Sequence, residues 1–247
     1  MSFEENEYIR HFPPHKAAER ALVFGGARRA VEAAALLENA EEIWNVREFL
    51  AFTGVYEGKE ITVCSHGLSS AAALLIFENL FNAGVKTVIR AGTCGGFQDE
   101  VKSGDILIGT GSVREDRVAD EILPIEYPAI ADRKVIDAIE GAATEYGYEP
   151  HVGMMRTTAL FSTYPHSQAP VRLKTWKDVG VLGDEGEYSA LLILAAFHKV
   201  RAGGLFVADG NVSENKEPWL FNTGLEDKVL QSKKAILKIG ISALSRL

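Results

Sequence analysis

Several stretches of this sequence set charged side chains beside glycines where an apolar run ends. VIRAGTCGG (88–96) places Arg90 after Val88 and Ile89 and ahead of Gly92, Thr93, Cys94, Gly95 and Gly96. An arginine stays charged, so at the end of a buried strand it needs a carboxylate or a bound anion. The residues alone leave both partners open. VFGGARRA (23–30) reads as strand, glycine turn and helix start, with Arg28 and Arg29 where free N–H groups and the helix dipole suit an anion. A tight turn with solvated arginines fits that stretch as well. It lacks the spacings of a dinucleotide fingerprint or a P-loop. GVLGDEGEYSALL (180–192) gathers Asp184, Glu185 and Glu187 about Gly186 just before a helix. Such acids either favour the helix start or accept hydrogen bonds from hydroxyls such as those of a sugar. Asp209 in FVADGN ends another apolar run, where burial would raise its pKa and let it serve as an acid, although Asp-Gly is also a common turn. Arg47, within WNVREFLAFTG (44–54), reads by itself as a surface residue.

The elements that must position these residues alternate in type. Apolar runs at 21–24, 59–65, 86–92, 105–113 and 203–210 read as strands. Helical patterns fall at 27–40, 70–84, 132–147, 189–200 and 225–246, the second closing on Gly84. That alternation predicts an α/β sheet covered by helices, in which ligands bind at strand ends. No linker, repeat or low-complexity tract divides the chain, so residues 1–247 are expected to form a single domain.

Composition narrows the function classes. The chain has 247 residues, 47% of them apolar, which is ample for a core. A net charge of −8 without a basic block argues against nucleic acid and anionic membrane as partners. The polar, acidic amino terminus is unlike a signal peptide, and no stretch reaches the about 18 apolar residues of a membrane span, so a soluble, cytoplasmic protein is expected. Cys64 and Cys94 have no metal-type spacing and read as reduced thiols.

In this order, the pieces resemble the nucleoside phosphorylase-I family, which includes the hexameric purine nucleoside phosphorylases and the uridine phosphorylases. The resemblance runs from about residue 8 to the last helix and is strongest at VIRAGTCGG, with NVREFLAFTG, SHGLSSA and DILIG with VRED close in kind. It implies a three-layer α/β/α domain with a mixed, partly barrel-like central sheet. It also implies reversible phosphorolysis, in which a purine nucleoside of the inosine or guanosine type and phosphate give ribose 1-phosphate and free base. Inorganic phosphate is then a co-substrate, with neither cofactor nor metal. By the resemblance, Gly25, Arg29, Arg90 and Thr93 cradle phosphate and Arg47 joins them from a neighbouring subunit. Glu187, with Glu185 and Gly186 beside it, holds the ribose, His11 reaches the 5′-hydroxyl from the adjacent subunit, and Phe161 stacks on base or sugar. Asp209 protonates or hydrogen-bonds N7 of the purine, and Arg90 acts with it in catalysis. Shared sites imply a homo-oligomer, a dimer at least and a trimer of dimers by the family pattern.

The chain departs from that pattern in places. Asp184 and Gly186 stand where valine and methionine are common, which adds a carboxylate and removes an apolar wall. Gly26 and Ala27 replace an aspartate and a proline, Ala208 a serine, and Asn222 the arginine thought to activate the acid, leaving Lys216 as a substitute. ENKEPWLFNTG (214–224) reads as a variable loop with Trp219 as a lid or packing aromatic. Uridine phosphorylase is the alternative activity, for which Gln168 and a displaced Arg172 are the pyrimidine-binding candidates. A water-using nucleosidase would leave Arg90 without an anion, and a nucleoside-binding homologue with impaired chemistry is the non-enzyme alternative.

Overall fold

The computed structural model describes residues 17–160, 169–211 and 227–247. Its elements run β1 (Arg20–Phe24), α1 (Ala27–Ala34), β2 (Glu38–Val46), β3 (Phe49–Tyr56), β4 (Lys59–Ser65), α2 (Ser70–Asn82), β5 (Thr87–Gly96), β6 (Ile106–Arg114), β7 (Ala129–Ile130), α3 (Arg133–Glu145), β8 (His151–Thr157), α4 (Ala169–Asp178), β9 (Gly183–Glu185), α5 (Tyr188–His198), β10 (Arg201–Asn211) and α6 (Asp227–Ser245).

All ten strands join one sheet organised around β5. β5 pairs parallel with β1 and β10 and antiparallel with β9. From β10 the pairing passes through β6 and β8 to β9 and so returns to β5, closing a ring of five strands. β1, β4, β3 and β2 continue from β5 as an open arm. Helices α2 and α5 pack on each other, α5 also against β6 and β10, while α6 lies against β1, β5 and β10 with α1 and α3 beside it. This is the mixed, partly barrel-like sheet between helices expected from the sequence. Cover on both faces explains why β5 reads as a continuous apolar run and why α5 is buried from Tyr188 to Ala195.

Two elements differ from their sequence reading. The alanine-rich stretch 27–40 leaves the helix at Ala34 and enters β2 at Glu38, where pairing with Val55 of β3 overrides helix propensity. The strand read at 86–92 runs on to Gly96, so GTCGG is strand and not loop. Its glycines serve close packing: a Cβ at Gly92 would lie 2.9 Å from the Phe206 ring and 3.2 Å from the Arg90 guanidinium, and one at Gly96 would lie 2.8 Å from Val101. Among the described residues no helix is long and apolar enough to cross a membrane.

Candidate active site at the ends of the parallel strands

β1, β4, β5 and β10 all run parallel, so their carboxyl ends and the loops that follow meet at one edge of the sheet. Backbone bonds lock these loops together: His66 N–H donates to Phe24 O at 2.7 Å and Gly67 N–H to Gly25 O at 3.0 Å. The β9–α5 junction closes the edge from the other side, where the Ser70 hydroxyl donates to Gly186 O at 2.9 Å.

Arg90 is the buried centre of this edge, and its partners are acids of the protein itself. Nε donates to Glu185 Oε2 at 3.0 Å, and Nη2 reaches both Glu185 at 2.9 Å and Glu187. Burial alone would discourage its charge, but Glu187 and Glu185 outweigh that and raise its pKa. Of the two partners that the sequence leaves open for Arg90, the fold supplies the carboxylate: an arginine carried this deep is neutralised by the acids that β9 and the start of α5 bring to it. Its third nitrogen, Nη1, donates to His66 Nε2 at 3.0 Å, and its guanidinium carbon lies 5.6 Å from the Phe206 ring centre. Burial, then Arg90 and Arg29, push the His66 pKa well below its ordinary value, so the ring is neutral and accepts at Nε2.

The two glutamates differ in what remains open to them. Glu185 takes N–H groups of Glu187 and Tyr188 and the Thr157 hydroxyl at 2.6 Å as well as Arg90, so it caps α5 and fixes Arg90. Those protein donors, rather than a ligand hydroxyl, occupy the carboxylate that the resemblance places with Glu187 at the nucleoside. Glu187 accepts the Ser69 N–H at 2.8 Å beside its bond to Arg90, and burial raises its pKa against the pull of Arg90. Ser69 holds φ 80° and ψ 150°, a region that glycine alone occupies at ease, and so carries backbone strain next to the site.

Arg29 is the contrasting cation. Its Nη1 donates to Ala91 O at 3.3 Å, and no described carboxylate comes within ion-pair distance. Burial and the positive charge of Arg90 lower its pKa to about 10. Gly25 lies beside it: a Cβ there would be 3.8 Å from Arg29 Nη2. Asp209 occupies the register shift of β10 between Ala208 and Gly210, and Lys233 of α6 lies 3.3 Å from its Oδ2. Burial raises the Asp209 pKa, opposed by Lys233, the Thr93 hydroxyl and Arg29. Gly186 has an ordinary φ, and a Cβ there would meet nothing within 4 Å, so space is open at that point between Glu185 and Glu187.

One strand further on, Arg156 forms a second buried cluster. It donates to Glu115, to Asp184 Oδ2 at 3.4 Å and to the Thr158 hydroxyl at 3.4 Å, while Arg172 of α4 reaches Glu115 at 2.7 Å. Burial works against the Glu115 charge, yet Arg172 and Arg156 hold its pKa below the usual carboxylate range. Asp184, the additional carboxylate, is thus the cross-strand neighbour of Arg156 in the β8–β9 register.

The structure brings Gly25, Arg29, Arg90, Thr93, Glu185, Gly186, Glu187 and Asp209 to one edge. Arg47 stays apart, exposed at φ 58° in the turn between β2 and β3. His11, Phe161, Gln168, Lys216, Trp219 and Asn222 lie outside the described residues. Sequence reasoning missed Lys233, His66, Ser69, Arg156 and Glu115 as members of these clusters. For Lys233 a signal exists: it sits in the helical stripe of buried Val229, Ser232, Ile236 and Gly240.

The profile of the phosphorylase superfamily matches residues 20–241. A purine nucleoside phosphorylase of Plasmodium vivax (strain Salvador I) is 33% identical over 209 residues, covering 83% of this chain and 84% of its own. A uridine phosphorylase of Haemophilus influenzae is 34% identical over 200 residues, covering 76% of this chain and 79% of its own. Among solved structures, purine nucleoside phosphorylase from Toxoplasma gondii in complex with immucillin-H superposes with a TM-score of 0.85 at 27% identity, covering 95% of each chain.

Proposed function

The chain belongs to the phosphorylase superfamily, and from that premise we propose that it is a nucleoside phosphorylase that prefers purine nucleosides of the inosine and guanosine type. Arg29 carries this reading. A half-buried cation beside Arg90, with a carbonyl as its partner and no described acid within ion-pair distance, is suited to an anion brought from solution. Phosphate binds between Arg29, Thr93 and the edge of Arg90, within reach of the anomeric carbon of a ribose held by Glu187. Positive charge then develops on the sugar between the phosphate and the Glu187 carboxylate as the bond to the base breaks. Asp209 supports the purine choice: burial raises its pKa, so it can carry a proton to N7 and turn the base into a better leaving group. Arg47 and His11 would complete the site from a neighbouring subunit, which makes the working form a dimer at least and, in this reading, a trimer of dimers.

Incubation with inosine in the presence and absence of phosphate tests the reading. Hypoxanthine and ribose 1-phosphate are expected only with phosphate. Base release that ignores phosphate would overturn it in favour of hydrolysis, and no turnover would leave a binding protein. Uridine phosphorylase is the second reading, favoured by the uridine-active relatives. Arg172, its pyrimidine-binding candidate among the described residues, is engaged by Glu115. Uridine turnover above that of inosine would reverse the order.

A further inference from the structure

We propose that Lys233 is the positioning residue of the acid step, its ammonium reaching from α6 to govern how readily Asp209 hands its proton to the departing base. The inference rests on the reading of Asp209 as the acid that protonates a purine. Lys233 Nζ lies 3.3 Å from Asp209 Oδ2, with the two side chains 23% and 9% exposed. A lysine in a buried helical stripe must either stretch to water or meet an acid, and this one meets the acid of the site. Its helix is fixed in register. Ser232 Oγ donates to Gly104 O at 2.7 Å, and Lys228 Nζ lies 2.7 Å from Asp105 Oδ1. The register shift in β10 supplies the other half of the pair at Asp209.

Among the described residues, four groups face Asp209 from the elements around it: Arg29 of α1, Thr93 and Cys94 of β5, and Lys233 of α6. The Thr93 hydroxyl carries no charge. The Cys94 thiol stays neutral, because burial and then Asp209 push its pKa well above the ordinary value. Arg29 is the cation assigned to phosphate. Among the described residues, Lys233 is therefore the charge that answers to Asp209 during turnover. When a phosphate oxygen bonds to C1′, the C1′–N9 bond breaks and its electron pair enters the base. The Asp209 carboxyl then gives its proton to N7, leaving a carboxylate against the Lys233 ammonium, which keeps its own protons. Water returns a proton to Asp209 after the base departs.

The test is kcat/KM against pH at saturating phosphate, for inosine and for 7-methylguanosine, whose base leaves without taking a proton at N7. Without the nearby cation the buried acid holds its proton more tightly. Lys233→Met is therefore expected to lower the inosine plateau about tenfold and to move the alkaline limb up by about one pH unit. Lys233→Arg should keep the limb in place, and 7-methylguanosine turnover should stay unchanged in both variants. Lys233→Gln gives the same reading if the methionine variant fails to fold. An unmoved limb, or equal losses on the two nucleosides, overturns the inference. Asp209→Asn separates the levels: if it keeps full inosine turnover, the acid reading falls and the inference with it. An inactive Asp209→Asn beside an unmoved limb in Lys233→Met sinks the inference alone.

Discussion

Arg90 and Arg156 are both buried arginines, and both draw acids from the same three-residue strand. Consecutive side chains of a strand point to opposite faces, so β9 gives Asp184 to Arg156 and Glu185 to Arg90. The difference lies in what surrounds each pair. Around Arg156 both cations touch an acid, Arg172 sharing Glu115 with Arg156, and the cluster holds β8, β9 and α4 together. Around Arg90 a second cation, Arg29, meets a carbonyl and, among the described residues, no acid at ion-pair distance. A buried arginine is therefore not by itself the mark of an anion site. The mark is a half-buried neighbour of the same charge on which no described acid sits.

Replacing each arginine with methionine probes the likeness first and has the largest expected effect. Arg90→Met takes the cation from buried Glu185 and Glu187, and Arg156→Met takes one from Asp184 and Glu115, so each is expected to lose about 3–5 kcal/mol in urea denaturation. Only Arg90→Met should also abolish phosphate-dependent turnover of whatever protein remains folded. A loss under about 1 kcal/mol at Arg156 would mean that its cluster does not hold the strands together. Arg29→Ala addresses the difference. Because the fold lowers the Arg29 pKa to about 10, the side chain still carries its charge below that pH and the charge costs the folded state stability there, so removing it should leave stability unchanged or higher. The same variant should raise the KM for phosphate about tenfold or more, a charge-assisted hydrogen bond being lost. Destabilisation without any change in that KM would place Arg29 in the same class as Arg156. The smallest effect belongs to Gly186→Ala, between the two glutamates of the Arg90 cluster. With an ordinary φ and no atom within 4 Å of the added Cβ, thermal and chemical midpoints should stay within about 0.5 kcal/mol of the parent, whereas KM for the nucleoside changes.

Much of this was legible in the sequence where a residue's meaning is local. KEITVCS is strand β4 as read, α2 ends ahead of a left-handed Gly84 as expected, and Arg29, Arg90 and Asp209 stand out as charges at strand ends. Meaning that depends on register was not legible. β9 is three residues long and has no periodicity to detect, and β2 is a largely exposed edge strand rich in glutamate, which does not resemble one. Asp184 looked like an unexplained carboxylate because its partner, Arg156, is adjacent only once β8 and β9 are aligned. Lys233 is one of four lysines in α6, and only its place in the buried stripe sets it apart from Lys228, Lys234 and Lys238. Gly92 and Gly96 suggested a loop, since glycine signals a turn and a tightly packed strand equally well.

The separation between Arg90 and its acids shapes how the molecule comes into being. Glu185 lies 95 positions further along the chain and Glu187 lies 97. At a synthesis rate of roughly 5–20 residues per second, Arg90 leaves the ribosome about 5–20 seconds before them. Throughout that interval the guanidinium must stay in water, so β5 cannot be sealed into a core, and its charge works against premature association of an otherwise apolar strand. Ring closure through β10 and neutralisation of Arg90 by Glu185 and Glu187 both depend on segments distant in sequence, which is the pattern of slow folding. The edge that holds Arg90 thus stays wet until those distant segments arrive.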